Sequence, residues 1–152
     1  ELSRSFKIPV HVEFLGYHSV FHDPGEFVDM LTDYPELSLC LDSGHLHRHG
    51  QIHDRNPYDS AEKLALLVGS IHLWNISSHD EYLRRGHIPV HPEHCVEDGY
   101  LDIEKILRTV LAMNRNTTVI FEPSVPEGTT EEYIREGIEW VRSIVANCAA
   151  SR

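Results

Sequence analysis

Bulky apolar residues recur at every second position in three short stretches of the chain. Val10, Val12 and Phe14 alternate with His11 and Glu13, Leu37, Leu39 and Leu41 with Ser38, Cys40 and Asp42, and Val119 and Phe121 with Ile120 and Glu122. A period of two predicts strands over 8–15, 37–42 and 118–122, and the apolar run at 71–75 predicts a fourth. A short helix is expected over 24–31 behind Asp23. Asp59 and Glu62 have capping-box spacing before Leu64, Leu67 and Val68, and Thr129 with Glu132 precedes Ile134, Ile138, Val141 and Val145. Ile103, Ile106, Leu107, Val110 and Leu111 recur with helical period behind Asp102. The order is strand then helix, four times over, which implies parallel strands joined by right-handed crossovers.

Strands with one aliphatic face and polar residues at their C-terminal ends suit a closed α/β barrel, a (β/α)8 TIM barrel whose active site lies at that end. The alternative is a flavodoxin-like open sheet, but no glycine-rich phosphate loop supports it. Residues 1–152 supply about four βα units, half of a barrel that typically needs ~250 residues. Four strands cannot close alone, so a second half-barrel or another copy of the chain is expected as partner. The chain opens at Glu1, not at a methionine, and reads as processed or partial.

Glu13, Asp42, His72 and Glu122 all fall at the C-terminal ends of their strands. Singly, each reads as a helix cap or a core histidine. Together they place three carboxylates and an imidazole at one end of one sheet, which is costly without a cation. The donor set suits manganese, cobalt, magnesium or zinc. After Asp42, Gly44 is read as permitting a tight turn that returns His45 to the same cavity. His47, His49 and His53 are read as solvated histidines of a polar loop. The segment 76–100 reads as a long active-site loop, in which His87 heads an ordered return through Pro89 and Arg85 precedes it. Pro89 argues against a helical pairing of His87 with His91.

Composition narrows the classes. The twelve histidines all lie between His11 and His94, a clustering that points to metal or proton chemistry. A net charge of −11 repels phosphate backbones, so nucleic acid is not an expected partner. No stretch approaches a membrane span and no secretion signal opens the chain. The three cysteines, Cys40, Cys95 and Cys148, are too few and scattered for a disulfide framework, and a cytoplasmic setting is expected.

The series Val12-Glu13, Leu41-Asp42-Ser43-Gly44-His45, Ile71-His72-Leu73-Trp74-Asn75, His87-Ile88-Pro89-Val90, Asp98-Gly99-Tyr100-Leu101-Asp102 and Ile120-Phe121-Glu122 resembles the second half of the xylose isomerase-like barrel superfamily. That superfamily holds sugar and sugar-phosphate isomerases and epimerases, and also endonuclease IV. The resemblance implies that Glu13, Asp42, His72 and Glu122 bind a divalent ion and that His45 touches substrate or a second metal. It further implies that Glu13 and Glu122 form the acid–base pair, acting on a small sugar or sugar phosphate through a metal-stabilised enediolate. An endonuclease IV-like zinc phosphodiesterase acting on abasic DNA is the second reading. There an aspartate stands two residues before the histidine matching His87, whereas this chain has Arg85, which would instead hold a substrate oxygen or lie exposed on the loop. A barrel relative that binds a metal or ligand without catalysis is the third.

Overall fold

Four parallel strands form one sheet in chain order: β1 (Val10–Glu13), β2 (Leu37–Asp42), β3 (Val68–Leu73) and β4 (Thr118–Phe121). The computed structural model describes residues 8–17 and 21–150, and His18, one of the clustered histidines, lies outside them. A consecutive strand order puts every right-handed crossover on the same face, as in a barrel wall, and excludes the doubly wound flavodoxin-like sheet. The helices that follow the strands are α1 (Pro24–Asp33), α3 (Pro57–Leu64) and α5 (Ile103–Met113), which lie in the three crossovers, and α6 (Glu131–Ala150) after β4. They form a layer in which α3 packs between α1 and α5, and α6 packs on α5.

Bridged partners share a face in a parallel sheet, and the register pairs Val12 with Leu39, Leu41 with Ile71, and Ile71 with Val119. That aliphatic face meets the helices in a core containing Leu39, Leu41, Ile71, Leu73, Ile106, Leu107 and Val110, all inaccessible to solvent. The opposite face carries His11, Glu13, Asp42, Ser70 and His72, and a His11 Nδ1 to Ser70 Oγ contact of 2.6 Å crosses it. Among the described residues no strand pairs with the outer edges of β1 and β4, and Val10 and Ile120 stay partly exposed. The described helices include none long and apolar enough to cross a membrane.

Helix starts follow their caps. Asp23 closes a full capping box with Glu26 and is followed by Pro24, and the Asp102 carboxylate accepts from the Lys105 N–H at 2.9 Å. Two expected caps shift. Asn56, with Pro57 behind it, starts α3, so Asp59 and Glu62 lie inside the helix. Thr130, not Thr129, accepts from the Tyr133 N–H at 3.1 Å and caps α6. β3 begins at Val68, three residues before the expected start, because Leu64 ends α3 while Val68 opens the strand. Both are buried, and their spacing of four imitates one helical face.

The largest departure from the sequence reading is α2 (Ser43–His53), where a polar loop was expected. Its inward positions are His45, Leu46 and His49, so aliphatic periodicity is nearly absent. The segment 76–100 likewise contains α4 (His79–Arg85), a 3-10 turn at Val96–Asp98, and an antiparallel bridge between Asn75 and Ile88.

Two outcomes are expected. Gly137 lies where α6 crosses the 88–91 segment, and a Cβ there would sit 2.1 Å from the Val90 carbonyl oxygen. Gly137→Ala gains helix propensity of about 1 kcal/mol but forces α6 outward, and urea denaturation should show a net loss of about 1–3 kcal/mol. His94 stacks on Tyr100, and its Nε2 faces the Tyr133 hydroxyl at 3.0 Å. Burial, helped by the His91 charge and by Arg85 against the opposing pull of Glu81, lowers its pKa to about 4. The folded state therefore binds fewer protons than the unfolded chain below an ordinary histidine value. The contribution is full above about pH 6.5 and is lost as pH falls toward 4. Acid titration should lower Tm across that window, and His94→Gln should flatten the fall.

Candidate metal centre

The C-terminal edge of the sheet gathers the chemistry. Glu13 ends β1, Asp42 ends β2 and pairs with His72 on β3, and Glu122 follows β4 with its N–H bonded to the Leu73 carbonyl at 3.1 Å. Potential ligand atoms of Glu13, Asp42 and His45 lie within 4.8 Å of one another, and so do those of Asp42, His72 and Glu122. Asp42 belongs to both clusters.

Its carboxylate is 0% exposed. Oδ1 accepts from the His45 N–H at 2.8 Å, which makes Asp42 the N-cap of α2, and Oδ2 accepts from Trp74 Nε1 at 2.7 Å. Burial raises the Asp42 pKa to about 7 despite these bonds, and the charges of Glu13 and Glu122 push the same way. Trp74 is held in turn by Ser43, whose hydroxyl donates to the Trp74 carbonyl at 2.6 Å. The indole lies directly on Gly44, where a Cβ would meet ring atoms at 2.4 Å. Gly44 thus sits in the first turn of a helix, and the ring above it, not a tight turn, excludes a side chain.

His72 Nδ1 lies 2.6 Å from Glu122 Oε2 without the alignment of a hydrogen bond. His45 Nε2 lies 3.5 Å from Glu13 Oε1. Burial first, then the charges of His87, Arg48 and His72, lower the His45 pKa to about 4, so its ring is neutral and able to ligate. Two glutamates and two imidazoles, arranged as two clusters about one buried aspartate, form a donor set that fits a divalent cation. The expected four-ligand set is thus divided: an ion in one cluster would be held from β1, β2 and the first turn of α2, and an ion in the other from β2, β3 and the residue after β4, with Asp42 common to both.

His87 reaches the rim of this set. Its ring stacks on Trp74 at 3.8 Å, stands 6.0 Å from the His45 ring, and its Nδ1 donates to the Glu122 carbonyl at 3.2 Å. Arg85, in the last turn of α4, instead pairs with Glu81 at 3.2 Å and borders a hollow of about 340 Å³ with Glu127, Thr130 and Tyr133. A side chain not singled out from the sequence, Arg48, is buried with its guanidinium between the rings of Tyr17 at 4.8 Å and Tyr82 at 4.1 Å. Trp74 and Ser43 were also missed as supports of Asp42, since nothing in a linear pattern marks an indole as the partner of a carboxylate 32 positions away.

A family model described as xylose isomerase-like TIM barrel matches residues 1–144. The chain belongs to the xylose isomerase-like TIM barrel family. No curated protein sequence matches it. Xylose isomerase-like barrels are largely enzymes and often bind divalent metals, which agrees with the acidic and histidine clusters at these strand ends. The four strands and their outer helices form part of such a barrel.

Trp74→Phe keeps an aromatic ring over Gly44 and removes the donor to Asp42 Oδ2. Loss of a group that orients a ligand typically costs about 10- to 100-fold in metal affinity. Calorimetric titration with manganese or cobalt should show a weakening of that order, with the fold retained by circular dichroism.

Proposed function

We propose that this centre binds one divalent cation, manganese, cobalt, magnesium or zinc, and isomerises or epimerises a small sugar or sugar phosphate by carboxylate proton transfer. One observation carries the reading. Glu13 and Glu122 stand on the two edge strands with side chains 38% and 45% exposed, flanking a fully buried Asp42 with which both cluster. Bound there, the cation supplies Lewis acidity that acidifies a C–H next to a chelated carbonyl and stabilises the resulting charge. Glu13 and Glu122 act on the proton from either side, one removing it and the other returning it. Asp42 does not move, because His45 and Trp74 hold both of its oxygens. The stacked Trp74 and His87 rings form an apolar wall of the centre.

The reading places the closing strands on a second half-barrel or another copy, which would cover the free edges of β1 and β4. It also places the protein in the cytoplasm, where its three free cysteines are stable as thiols. The net charge of −11 and the engagement of Arg85 with Glu81 weigh against an abasic-site phosphodiesterase.

The test is turnover of ketoses and ketose phosphates by the protein supplied with manganese or cobalt. Glu122→Gln should reduce kcat by about 100-fold or more, the usual scale of a lost general base. Unchanged turnover in that variant removes the proton-transfer mechanism. Zinc-dependent incision of abasic DNA would replace the reading with the phosphodiesterase, and metal binding without either activity would leave a non-catalytic binder.

A further inference from the structure

On α2, His45, His49 and His53 follow one another at one-turn spacing. His45 enters the carboxylate centre, and the other two turn toward a different neighbour, His22, which immediately precedes the N-cap of α1. Ligand atoms of His22, His49 and His53 lie within 4.8 Å of one another. The rings of His22 and His53 stack at 4.0 Å, and those of His49 and His53 are 5.0 Å apart. His49 is 1% exposed, seated against the ring of Phe14 at 5.3 Å. A buried nitrogen of each ring, Nδ1 of His22 and His49 and Nε2 of His53, has no hydrogen-bond partner among the described residues. A buried polar atom without a partner costs about 1–3 kcal/mol, and three such atoms on rings this close together call for a shared partner.

We propose that His22, His49 and His53 form a second metal site, selective for borderline transition-metal ions such as zinc, cobalt or nickel, and separate from the carboxylate centre. An all-imidazole set takes these ions and discriminates against magnesium, calcium and manganese, which prefer oxygen. Tetrahedral zinc with bonds of about 2.0–2.1 Å draws its imidazole nitrogens to roughly 3.3 Å of one another, so the rings, now with nitrogens within 4.8 Å and two of them stacked, would rotate and close inward on binding. His49 also borders a surface hollow of about 200 Å³ lined by Asp23, Arg55, Asp59 and Lys63, which gives an ion a way in. The two carboxylates there offset the two cations. A bound ion ties the segment entering α1 to α2, the helix whose first turn carries His45, so it braces the wall of the carboxylate centre without contributing to it.

The experiment uses a Glu13→Gln/Glu122→Gln variant, in which the carboxylate centre is disabled and the trio is untouched. Cobalt(II) absorption and elemental analysis after zinc loading should both report about one bound ion per chain. Zinc should also raise Tm by on the order of 5 °C at saturating concentration. Adding His53→Gln or His22→Gln, at partly exposed rings, should abolish the cobalt bands, the bound zinc and the stabilisation. His47→Gln on the same helix should leave all three intact. Retention of bound zinc and the cobalt spectrum in the His53→Gln and His22→Gln variants overturns the site, as does absence of any bound ion in the disabled parent. Neither result bears on turnover at the carboxylate centre, which is read separately in the protein with its native glutamates.

Discussion

The carboxylate of Asp42 is the constraint around which the rest is arranged. It terminates a strand whose alternate residues are sealed in the core, so it cannot retreat to solvent. Two donors reach it, the first-turn amide of α2 and the indole of Trp74. Hydrogen bonds to a charged group contribute about 1.5–3 kcal/mol each, whereas burying an ion costs several kcal/mol. Desolvation, aided by Glu13 and Glu122, outweighs the two bonds and raises the Asp42 pKa to about 7. A divalent cation bound beside Asp42 would offset that cost by opposing its charge and that of the glutamate clustered with it. The same atoms that make the centre electrostatically demanding also fix its geometry, since α2 begins where it does only because Asp42 caps it.

The layers on either side of the sheet divide the work. Helices α1, α3, α5 and α6 cover the aliphatic face and hold the strands in register. Register, in turn, decides that Asp42 stands opposite His72 and that Glu122 follows directly beyond β4. α2 and α4 belong to neither task. They sit at the C-terminal edge and supply what the strands cannot: His45, the Arg48 guanidinium clamped by Tyr82, and the segment leading to His87. Gly44 belongs to this arrangement too, because only a missing side chain lets the indole lie on the helix it helps to anchor.

Much of the sheet was readable from the chain because one-sided burial imposes a period of two, and the positions of Glu13, Asp42 and Glu122 came with it. The start of β3 was not, because Leu64 and Val68 are buried in different elements at a spacing that mimics one helix. α2 escaped notice for a related reason: histidines occupy the positions where aliphatic residues would have announced it. Its histidines therefore read as solvated loop residues, although His49 at 1% exposure is among the most buried side chains present. For α4 a signal existed. Ser78 followed three residues later by Glu81 has capping-box spacing, and the Ser78 hydroxyl does accept the Glu81 N–H, although the Glu81 carboxylate turns to Ser77 instead. Partners that close across the fold, such as Ser43 with Trp74 or His22 with His53, leave no local pattern.

The open edges of β1 and β4 bear directly on the chemistry. Glu13 ends β1 and Glu122 directly follows β4, and both side chains are partly exposed. Strands added beside β1 and β4 would remove water from both carboxylates while leaving their distances to Asp42 to be set by the existing register. Desolvation strengthens the repulsion among three like charges, because the screening that water provides is lost. The demand for a cation would therefore grow if strands closed the barrel beside them. Closure and metal binding would then be linked in sign, each making the other more favourable, and both acting through the same buried aspartate.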